Sequence, residues 1–531
     1  MYGSFRTGRR GTWRRVRGRA LRTVFLGALA ASALAGCAVG PDYKAAPAPV
    51  PTRFKELKGW KLATPSDALD RGDWWLPYRD LKLAFLLRQV EVSNQNVAVQ
   101  AAAYEQARAV IRQAQANLFP TLTANYNATH THTGANAGAG GGGGGGIGGG
   151  GAIDTNTFVA QLSGAWDLDV WGKVRRQIES NSAAAQASAA DLANVKLSQQ
   201  ALLATAYFNL RAEDALMALL RRTLTEFRET LRVTQNKVNA GCCAPPLTPV
   251  TPADLALARA QVENAEAQLI NVGVARSQNE HAIAMLTGRP PAELTIGARP
   301  LSGAIPRIPV TVPSSLLERR PDIAHAERTM QQQNALIGVA EAAFYPDISL
   351  SGLLQFTGKN PLPFSAANEL WSLGAAASEV LFDGGLRSAQ LDAARAVYWG
   401  SVATYRQTVL TAFQQVEDQL STIHILTRQL VVQRRAVADA REAVRVYTNQ
   451  YTAGTIDLTV LVTGQVTLLA DEEAELTIRQ NLFLASVNLI EALGGTWDTT
   501  LLPSQEELQK SFSLTPQLPL TDAGVEYPPT N

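Results

Sequence analysis

The chain is poor in the residues from which most catalytic and metal centres are built. Its 531 residues include only 3 cysteines, 5 histidines and 4 methionines. No nucleophile–base–acid set, metal-ligand spacing or nucleotide-binding loop is present in the sequence. We therefore predict that the protein is not an enzyme and that it binds no cofactor.

The N-terminus is rich in arginine and then apolar. The first 22 residues hold eight arginines and no acidic residue. Residues 24–35 then form a short apolar run, and residues 34–37 read LAGC. The run is too short to span a bilayer comfortably and is typical of a signal peptide. Its end resembles a bacterial lipoprotein cleavage box. We predict a signal peptide at 1–36 and more than one acyl chain on Cys37, and these chains would anchor the protein stably. The alternative is that Cys37 is a buried cysteine in an ordinary signal peptide.

The overall charge is small once this segment is set aside. The whole chain has 48 basic and 46 acidic residues, and without residues 1–36 there are 40 basic residues against 46 acidic ones. This balance gives no electrostatic footprint for nucleic acid. No later segment is apolar for long enough to form a membrane helix, so the body of the protein could enter a membrane only as strands.

The rest of the chain contains one structural unit twice. Apolar residues recur at every seventh position in two segments, which predicts long helices packed lengthwise on their neighbours. The first seam is Leu203, Leu210, Met217, Leu224, Leu231 and Val238, and the second, 206 residues later, is Val409, Val416, Ile423, Leu430, Val437 and Val444, with extensions at Val402 and Tyr451. Repeats of this length indicate duplicated domains.

The seams lie in unusually long uninterrupted segments. Residues 172–240 contain no proline and no interior glycine, and the matching segment 386–453 contains only Gly400. At 1.5 Å per residue, each predicts a helix of roughly 100 Å. Return helices are predicted at 254–286 and 458–493, and shorter helices at about 81–116 and 321–343.

Glycines mark the tips of the two predicted hairpins. Gly241 would end the first long helix and Gly454 the second. Their offset is 213 residues, one heptad more than the seam offset, and predicts a second hairpin that reaches about two turns further. The first tip carries an insertion beginning at Cys242 and Cys243, which we interpret as structural, with thiol or metal sensing as the alternative.

Four segments of about ten residues alternate apolar with small or polar side chains, as outer-membrane strands do. The predicted strands lie at about 120–131, 156–170, 346–357 and 370–382. Two fall in each repeat, and four strands cannot close a barrel because barrels begin at about eight. Closure therefore requires an oligomer.

The glycine-rich run 140–151 is predicted to be an extracellular loop. His130 and His132 lie near it and are predicted to be solvated, and a surface metal site is the alternative.

Several blocks of sequence together resemble the TolC-like outer-membrane efflux channel family, in its lipoprotein (NodT-type) branch. They are CAVGPDY from Cys37, LLERRPDIAHAE from Leu316, AEAAFYPDISLS from Ala340, YTAG from Tyr451 and ALGGTW from Ala492. The resemblance implies a mixed α/β membrane protein that forms a homotrimer, with a 12-stranded transmembrane β-barrel on a 12-helix periplasmic α-barrel. It also implies a passive duct in the outer membrane that exports small molecules, with a periplasmic adaptor and an inner-membrane pump, commonly of the RND type, as partners.

On this reading the chain divides into six parts. They are a signal peptide (1–36), a lipid-anchored extended segment (37–80), a first repeat (81–290, with its hairpin at 172–288), an equatorial linker (291–320), a second repeat (321–497, with its hairpin at 386–494) and an equatorial tail (498–531).

The resemblance places a gate at the periplasmic tips of the helices. Gly241, Gly454, Asp254 and Asp457 are candidate tip residues, and Thr463 occupies a position where many family members carry an aspartate. We hypothesise that this gate seals by packing more than by charge.

Other features have plainer interpretations. Arg319-Arg320-Pro321-Asp322 is interpreted as a helix start, and Asp471-Glu472-Glu473 as a solvated helix face. A duct for protein secretion is the main alternative function, and a structural envelope lipoprotein without a pore is a weaker one.

Overall fold

The computed structural model describes residues 38–51, 53–56, 73–134, 153–241, 250–303, 305–306 and 316–510. The helices are α1 (Leu81–Ser93), α2 (Gln95–Ala116), α3 (Lys173–Asn239), α4 (Pro252–Leu286), α5 (Leu316–Arg319), α6 (Pro321–Ala342), α7 (Leu386–Ala453), α8 (Leu458–Ala492) and α9 (Gln505–Gln509). The strands are β1 (Thr121–Thr133), β2 (Ile153–Leu168), β3 (Asp347–Gly358) and β4 (Glu369–Ser378). Single 3₁₀ turns lie at Leu76–Tyr78, Pro291–Glu293, Ala366–Asn368 and Thr499–Leu501. Cys37, Cys242, Cys243 and the run 140–151 lie outside the described residues.

Two long helices determine the length of the molecule. Helix α3 has 67 residues and α7 has 68, so each is about 100 Å long. The prediction that the second hairpin reaches two turns further is wrong, because the two helices match in length. The seven-residue discrepancy lies between the helices, since more residues separate α3 from α4 than separate α7 from α8. A heptad seam maps onto itself after a shift of seven residues, so the pattern could not reveal this.

The helix predicted at about 81–116 is in fact two helices joined at Asn94. The Asn94 side chain accepts hydrogen bonds from the N–H groups of Asn96 (2.9 Å) and Val97 (3.2 Å), which caps α2. Its amide donates to the Leu286 carbonyl (2.8 Å) at the end of α4. Asn94 is buried. The break is therefore fixed by a tertiary contact that apolar periodicity does not register.

The four strands form one antiparallel sheet in chain order, β1-β2-β3-β4. The register pairs Leu162 with Leu354 and Leu354 with Trp371, so apolar side chains of neighbouring strands share one face. Gln161 pairs with Gln355 on the opposite, polar face. Within the described residues, strands β1 and β4 each have a single neighbour. The sheet therefore has two open edges and one continuous apolar face.

The buried core runs along the helices. The second predicted seam is confirmed in full, since every member is buried: Val402, Val409, Val416, Ile423, Leu430, Val437, Val444 and Tyr451. The first seam is buried at Leu203, Leu210 and Leu224 and only half-buried at its other members, Met217, Leu231 and Val238. Helix α3 contacts α1, α2, α4, α6 and α8, so no single stripe accounts for its packing. Among the described residues, no helix is sufficiently long and apolar to cross a membrane.

Candidate functional site at the tips of the helical hairpins

The two candidate glycines lie at the ends of the long helices. Gly241 and Gly454 adopt positive φ angles of 61° and 80°, which is the left-handed conformation that commonly terminates a helix. The Gly454 N–H donates to the Tyr451 carbonyl at 3.0 Å. Any residue with a side chain would be strained at these positions.

The two candidate aspartates occupy different environments. Asp254 forms a capping box at the start of α4: its carboxylate accepts from the N–H (2.7 Å) and the hydroxyl (2.8 Å) of Thr251. Asp457 is exposed at the N-cap of α8, and its side chain makes no capping hydrogen bond. Asp254 is thus held in a structural role, while the Asp457 carboxylate faces solvent.

Thr463 lies on the exposed side of α8. Its hydroxyl donates to the Thr459 carbonyl at 2.7 Å, so its hydrogen-bonding capacity is turned back onto its own helix. The residue lines a shallow groove of about 390 Å³ between α7 and α8, together with Tyr447 and Val460. An uncharged threonine supplies no fixed negative charge to this surface.

A largely buried polar cluster, which the sequence analysis did not identify, joins the two hairpins near their tips. We call it the tip cluster; its members are Thr230, Thr234, Lys237, Tyr451 and Gln465. The hydroxyls of Thr234 and Tyr451 lie 2.8 Å apart, and Thr234 itself donates to the Thr230 carbonyl, so Tyr451 is the donor to Thr234. Gln465 donates to the Thr230 hydroxyl at 3.0 Å. Lys237 stands 4.1 Å from the centre of the Tyr451 ring and donates to the Tyr451 carbonyl.

The tip cluster makes α3, α7 and α8 interdependent. Thr234 and Tyr451 are almost wholly buried, and apolar residues of α4 and α8, including Ala258 and Leu461, pack around them. Separating the helices would leave the buried hydroxyls and the Gln465 amide without partners, which is costly unless water enters. One sequence signal for the tip cluster did exist: the last position of the second seam is a tyrosine, Tyr451, whose hydroxyl needs a partner when it is buried.

A second interhelical contact corrects the prediction for residues 471–473. Glu472 is not solvated: its side chain is 9% exposed, and it contacts Arg222 of α3 and Arg441 of α7, the latter at 2.5 Å. We call these three residues the charge hub. Neighbouring Asp471 accepts from Gln433 of α7 at 3.1 Å. Glu472, the carboxylate of the charge hub, lies roughly 20 Å along α8 from the start of that helix.

Two further carboxyls near the hub are perturbed by their surroundings. Burial raises the pKa of Glu226. The positive charge of Arg222 offsets part of this increase, and the negative charge of Glu472 adds to it. Burial alone raises the pKa of Glu473. Both groups are thus disfavoured in their charged form in the folded protein.

The remaining predicted features are structural. Pro321 occupies the first turn of α6, as predicted, and Arg320 is buried where it contacts Asp322 (2.6 Å) and the Ala492 carbonyl (2.8 Å). His132 pairs with Asp154 at 2.6 Å on the exposed rim of the sheet. In the part of the chain that the structure describes, no group of three or more His, Cys, Asp or Glu residues could hold a metal ion.

The arrangement offers interlocking helices rather than reactive groups. The tip cluster and the charge hub hold helices to one another, and Asp254 caps a helix end, whereas within the described part of the chain Asp457 and Thr463 make no polar contact between helices. These contacts offer structural links between helices, and none of them is an arrangement for covalent chemistry.

Comparison with known proteins agrees with this architecture. The chain matches the Outer membrane efflux protein family over residues 86–289 and 312–495, which are its two repeats. The chain therefore belongs to this family of outer-membrane channels.

Individual relatives match over nearly their whole length. The chain is 28% identical to the antibiotic efflux pump outer membrane protein ArpC of Pseudomonas putida, covering 88% of this chain and 95% of that protein. It is 29% identical to nodulation protein T of Rhizobium leguminosarum bv. trifolii, covering 82% and 89%. Its fold is similar to that of the solved outer-membrane channel OprN, with a TM-score of 0.76 and 28% identity over 86% of this chain and 99% of that one.

Proposed function

We propose that this protein is the outer-membrane channel of a tripartite efflux pump, a passive duct through which small molecules leave the cell. The observation that carries the proposal is the four-stranded sheet, which has one apolar face and two open edges and is joined to two helical hairpins of about 100 Å. The sheet suits a membrane wall and the hairpins suit a periplasmic tube. The relatives named for efflux of antibiotics, toluene and cations, and for export of pyoverdine, point to the same class of function.

The functional unit of this proposal is a homotrimer. Three sheets joined at their open edges would make a 12-stranded barrel, which is large enough to close around a channel. The first part of α7 and the segment before it support this assembly, because they expose large apolar side chains. Leu381 is 91% exposed, Phe382 89% and Trp399 68% in the single chain. A second copy of the chain would cover them.

The gate of this duct lies at the hairpin tips. In the closed state the tip cluster and the charge hub hold α7 and α8 against α3, and opening separates them. Because Thr463 is uncharged, this seal depends on packing and on the cross-hairpin contacts. Thr463→Asp would place three carboxylates in the trimer, and we expect it to make channel conductance in a planar bilayer sensitive to block by multivalent cations. Equal block of the wild-type channel would contradict this account of the gate.

The expected partners and location follow from the same proposal. A periplasmic adaptor and an inner-membrane pump, of the RND type, supply the cargo and the energy, and acyl chains on Cys37 anchor the protein in the outer membrane. The cargo is a class of small toxic solutes rather than proteins.

The test is growth inhibition of a deletion strain across antibiotics, dyes, detergents, aromatic acids and metals. Sensitisation that the intact gene reverses would support efflux and identify the cargo class. Unchanged growth in a strain that also lacks its other outer-membrane channels, together with loss of a secreted protein, would instead establish a secretion duct.

A further inference from the structure

The segment that follows the predicted lipidation site is bound along the outside of three helices. We call residues 38–51 and 53–56 the strap. The strap meets the base of the sheet at one end, where the Val39 N–H donates to the Trp171 carbonyl at 3.0 Å. At its other end Phe54 is 1% exposed and packs edge-on against Phe413 of α7, with ring centres 6.3 Å apart. An extended segment fixed at both ends is part of the folded body.

A crossing of two backbones locks the strap to α6. Gly40 has a φ of 100°, and a Cβ atom built on it would lie 2.4 Å from the Cα of Gly338. A Cβ on Gly338 would in turn lie 3.0 Å from the Val39 carbonyl oxygen. A side chain on Gly40 would collide with the backbone of α6, and one on Gly338 would crowd the strap, so the contact requires glycine on the strap and favours glycine on the helix.

The same crossing satisfies a buried cation of the first repeat. Arg176 of α3 has a side chain that is only 7% exposed. Its guanidinium donates to the carbonyls of Val39 (3.1 Å) and Gly40 (3.0 Å) and to the Asp42 carboxylate (3.0 Å), as well as to Glu179 of its own helix (2.7 Å). Without the strap, three of these four hydrogen bonds are lost beside a buried charge, which is strongly unfavourable.

The second repeat supplies further hydrogen bonds to the strap. Asn334 of α6 is buried and donates its amide to the Pro41 carbonyl at 2.9 Å. Near the far end, the Glu417 carboxylate of α7 accepts from the backbone N–H groups of Lys55 (2.5 Å) and Glu56 (3.0 Å). The strap therefore bridges α3 of the first repeat to α6 and α7 of the second.

We propose that the strap is an intramolecular clamp that fixes the two repeats to each other along the half of the long helices nearest the sheet, so that gating movements are confined to the hairpin tips. This inference rests on the proposed gate for its functional consequence, while the clamp itself rests on the contacts above. A channel whose helices separate at one end needs a fixed pivot at the other. The strap makes contacts of the right kind and in the right place for that pivot.

The experiment compares purified full-length wild type with Gly40→Ala, Phe54→Ala and the control Lys44→Ala. Lys44 is exposed on the same strap. Trypsin cleavage at Arg53, followed by mass spectrometry, reports undocking, and far-ultraviolet circular dichroism reports the unfolding temperature. Because cleavage of a docked segment follows the population of its open form, we expect Gly40→Ala to raise the cleavage rate about tenfold or more. We also expect it to lower Tm by about 2 °C or more, while Lys44→Ala changes neither.

Two outcomes would overturn the clamp. Wild-type cleavage rates in both Gly40→Ala and Phe54→Ala would mean that the crossing does not hold the strap. Release of the strap without any fall in Tm would mean that it is bound but joins nothing. Phe54→Ala keeps the test valid if Gly40→Ala fails to accumulate. Neither readout uses transport, so a failed clamp and a failed efflux proposal remain distinguishable.

Discussion

The two long helices are nearly equal in length but differ greatly in how much of their surface is buried. Helix α3 buries 27 of its 67 residues, whereas α7 buries 12 of its 68. Helix α3 is surrounded by other helices of its own chain, and α7 rests on α6 and α8 along little more than its seam. The difference teaches that duplicated sequences need not have equivalent surroundings. The first copy completes the core of the chain, whereas the second leaves an exposed face, which the proposed trimer would cover.

The largest expected effect comes from charging the exposed face of α7. Trp399→Glu would bury a carboxylate in the proposed subunit interface without a partner, and we expect it to reduce the fraction of trimer by about tenfold or more. Size-exclusion chromatography with light scattering measures that fraction. Gln407→Glu, at an exposed polar position of the same helix, is the matched control. A fully trimeric Trp399→Glu protein would show that this face of α7 is not an interface.

A smaller effect is expected from breaking the charge hub that ties α7 and α8 to α3. Glu472→Ala leaves Arg222 and Arg441 without their shared carboxylate, and we expect a cost of about 1–2 kcal/mol because the acid is buried but the arginines are half-exposed. Chemical denaturation of the helices measures this cost, and bilayer conductance should show more frequent opening.

The control for that variant is Glu475→Ala, which removes the two-residue pair with Arg434. We expect it to cost no more than about 0.5 kcal/mol, because the pair is more exposed. Equal effects of the two variants would contradict a special role for the hub.

Removing one hydroxyl from the tip cluster should have a more modest effect. Tyr451→Phe keeps the ring in the seam but leaves the Thr234 hydroxyl without its donor, at an expected cost of about 1 kcal/mol. Tyr447→Phe is the control, because among the described residues no hydrogen bond to its hydroxyl is found. Denaturation midpoints of the two variants would be compared, and a larger loss in Tyr447→Phe would exclude the proposed role of the cluster.

The smallest expected effect is a pH dependence carried by Glu226 of α3 and Glu473 of α8. Their pKa values are raised in the folded protein from the usual 4.5, so above that value the folded state binds more protons than the unfolded state. Their contribution to the free energy of unfolding therefore falls as the pH rises through this window. Glutamine at either position should remove that residue's part of the slope of the unfolding free energy against pH, measured in a series of acidic buffers.

Glu442 provides a control of opposite sign. The hydrogen bond from Arg445 lowers the pKa of Glu442. Its contribution to stability is therefore present above the usual carboxyl pKa and is lost as the pH falls through the lowered value. Glu442→Gln should change the slope in the direction opposite to Glu226→Gln, and a change in the same direction would contradict this assignment.

Much of the architecture could be predicted because it depends on the periodic pattern of residues that are close together in the chain. The period-two alternation indicated all four strands, and the absence of proline and glycine indicated the two long helices. The second seam was predicted residue by residue, from Val402 to Tyr451, and is buried throughout. Asn94 shows where this reasoning fails, because the break there depends on a hydrogen bond to Leu286, nearly 200 residues away.

The candidate site was only partly predictable. The tip glycines Gly241 and Gly454 were found because a left-handed helix end has a local sequence signature. The hub was missed because Glu472 lies in an acidic stretch that is typical of a solvated face, and nothing near it in sequence shows that Arg222 will reach it.

The sequence by itself determined the duplication, the types of element, the faces of the strands and the ends of the hairpins, since each depends on residues close together in the chain. The tertiary structure decided which polar groups meet: Tyr451 with Thr234, Glu472 with Arg222, and Gly40 with Gly338. The physical reason is the degeneracy of the seam. A heptad pattern fits equally well after a slide of seven residues, so it specifies that helices pack but not their register. The register of the helices is fixed only in the packed molecule, by the contacts of the strap, of the tip cluster and of the charge hub.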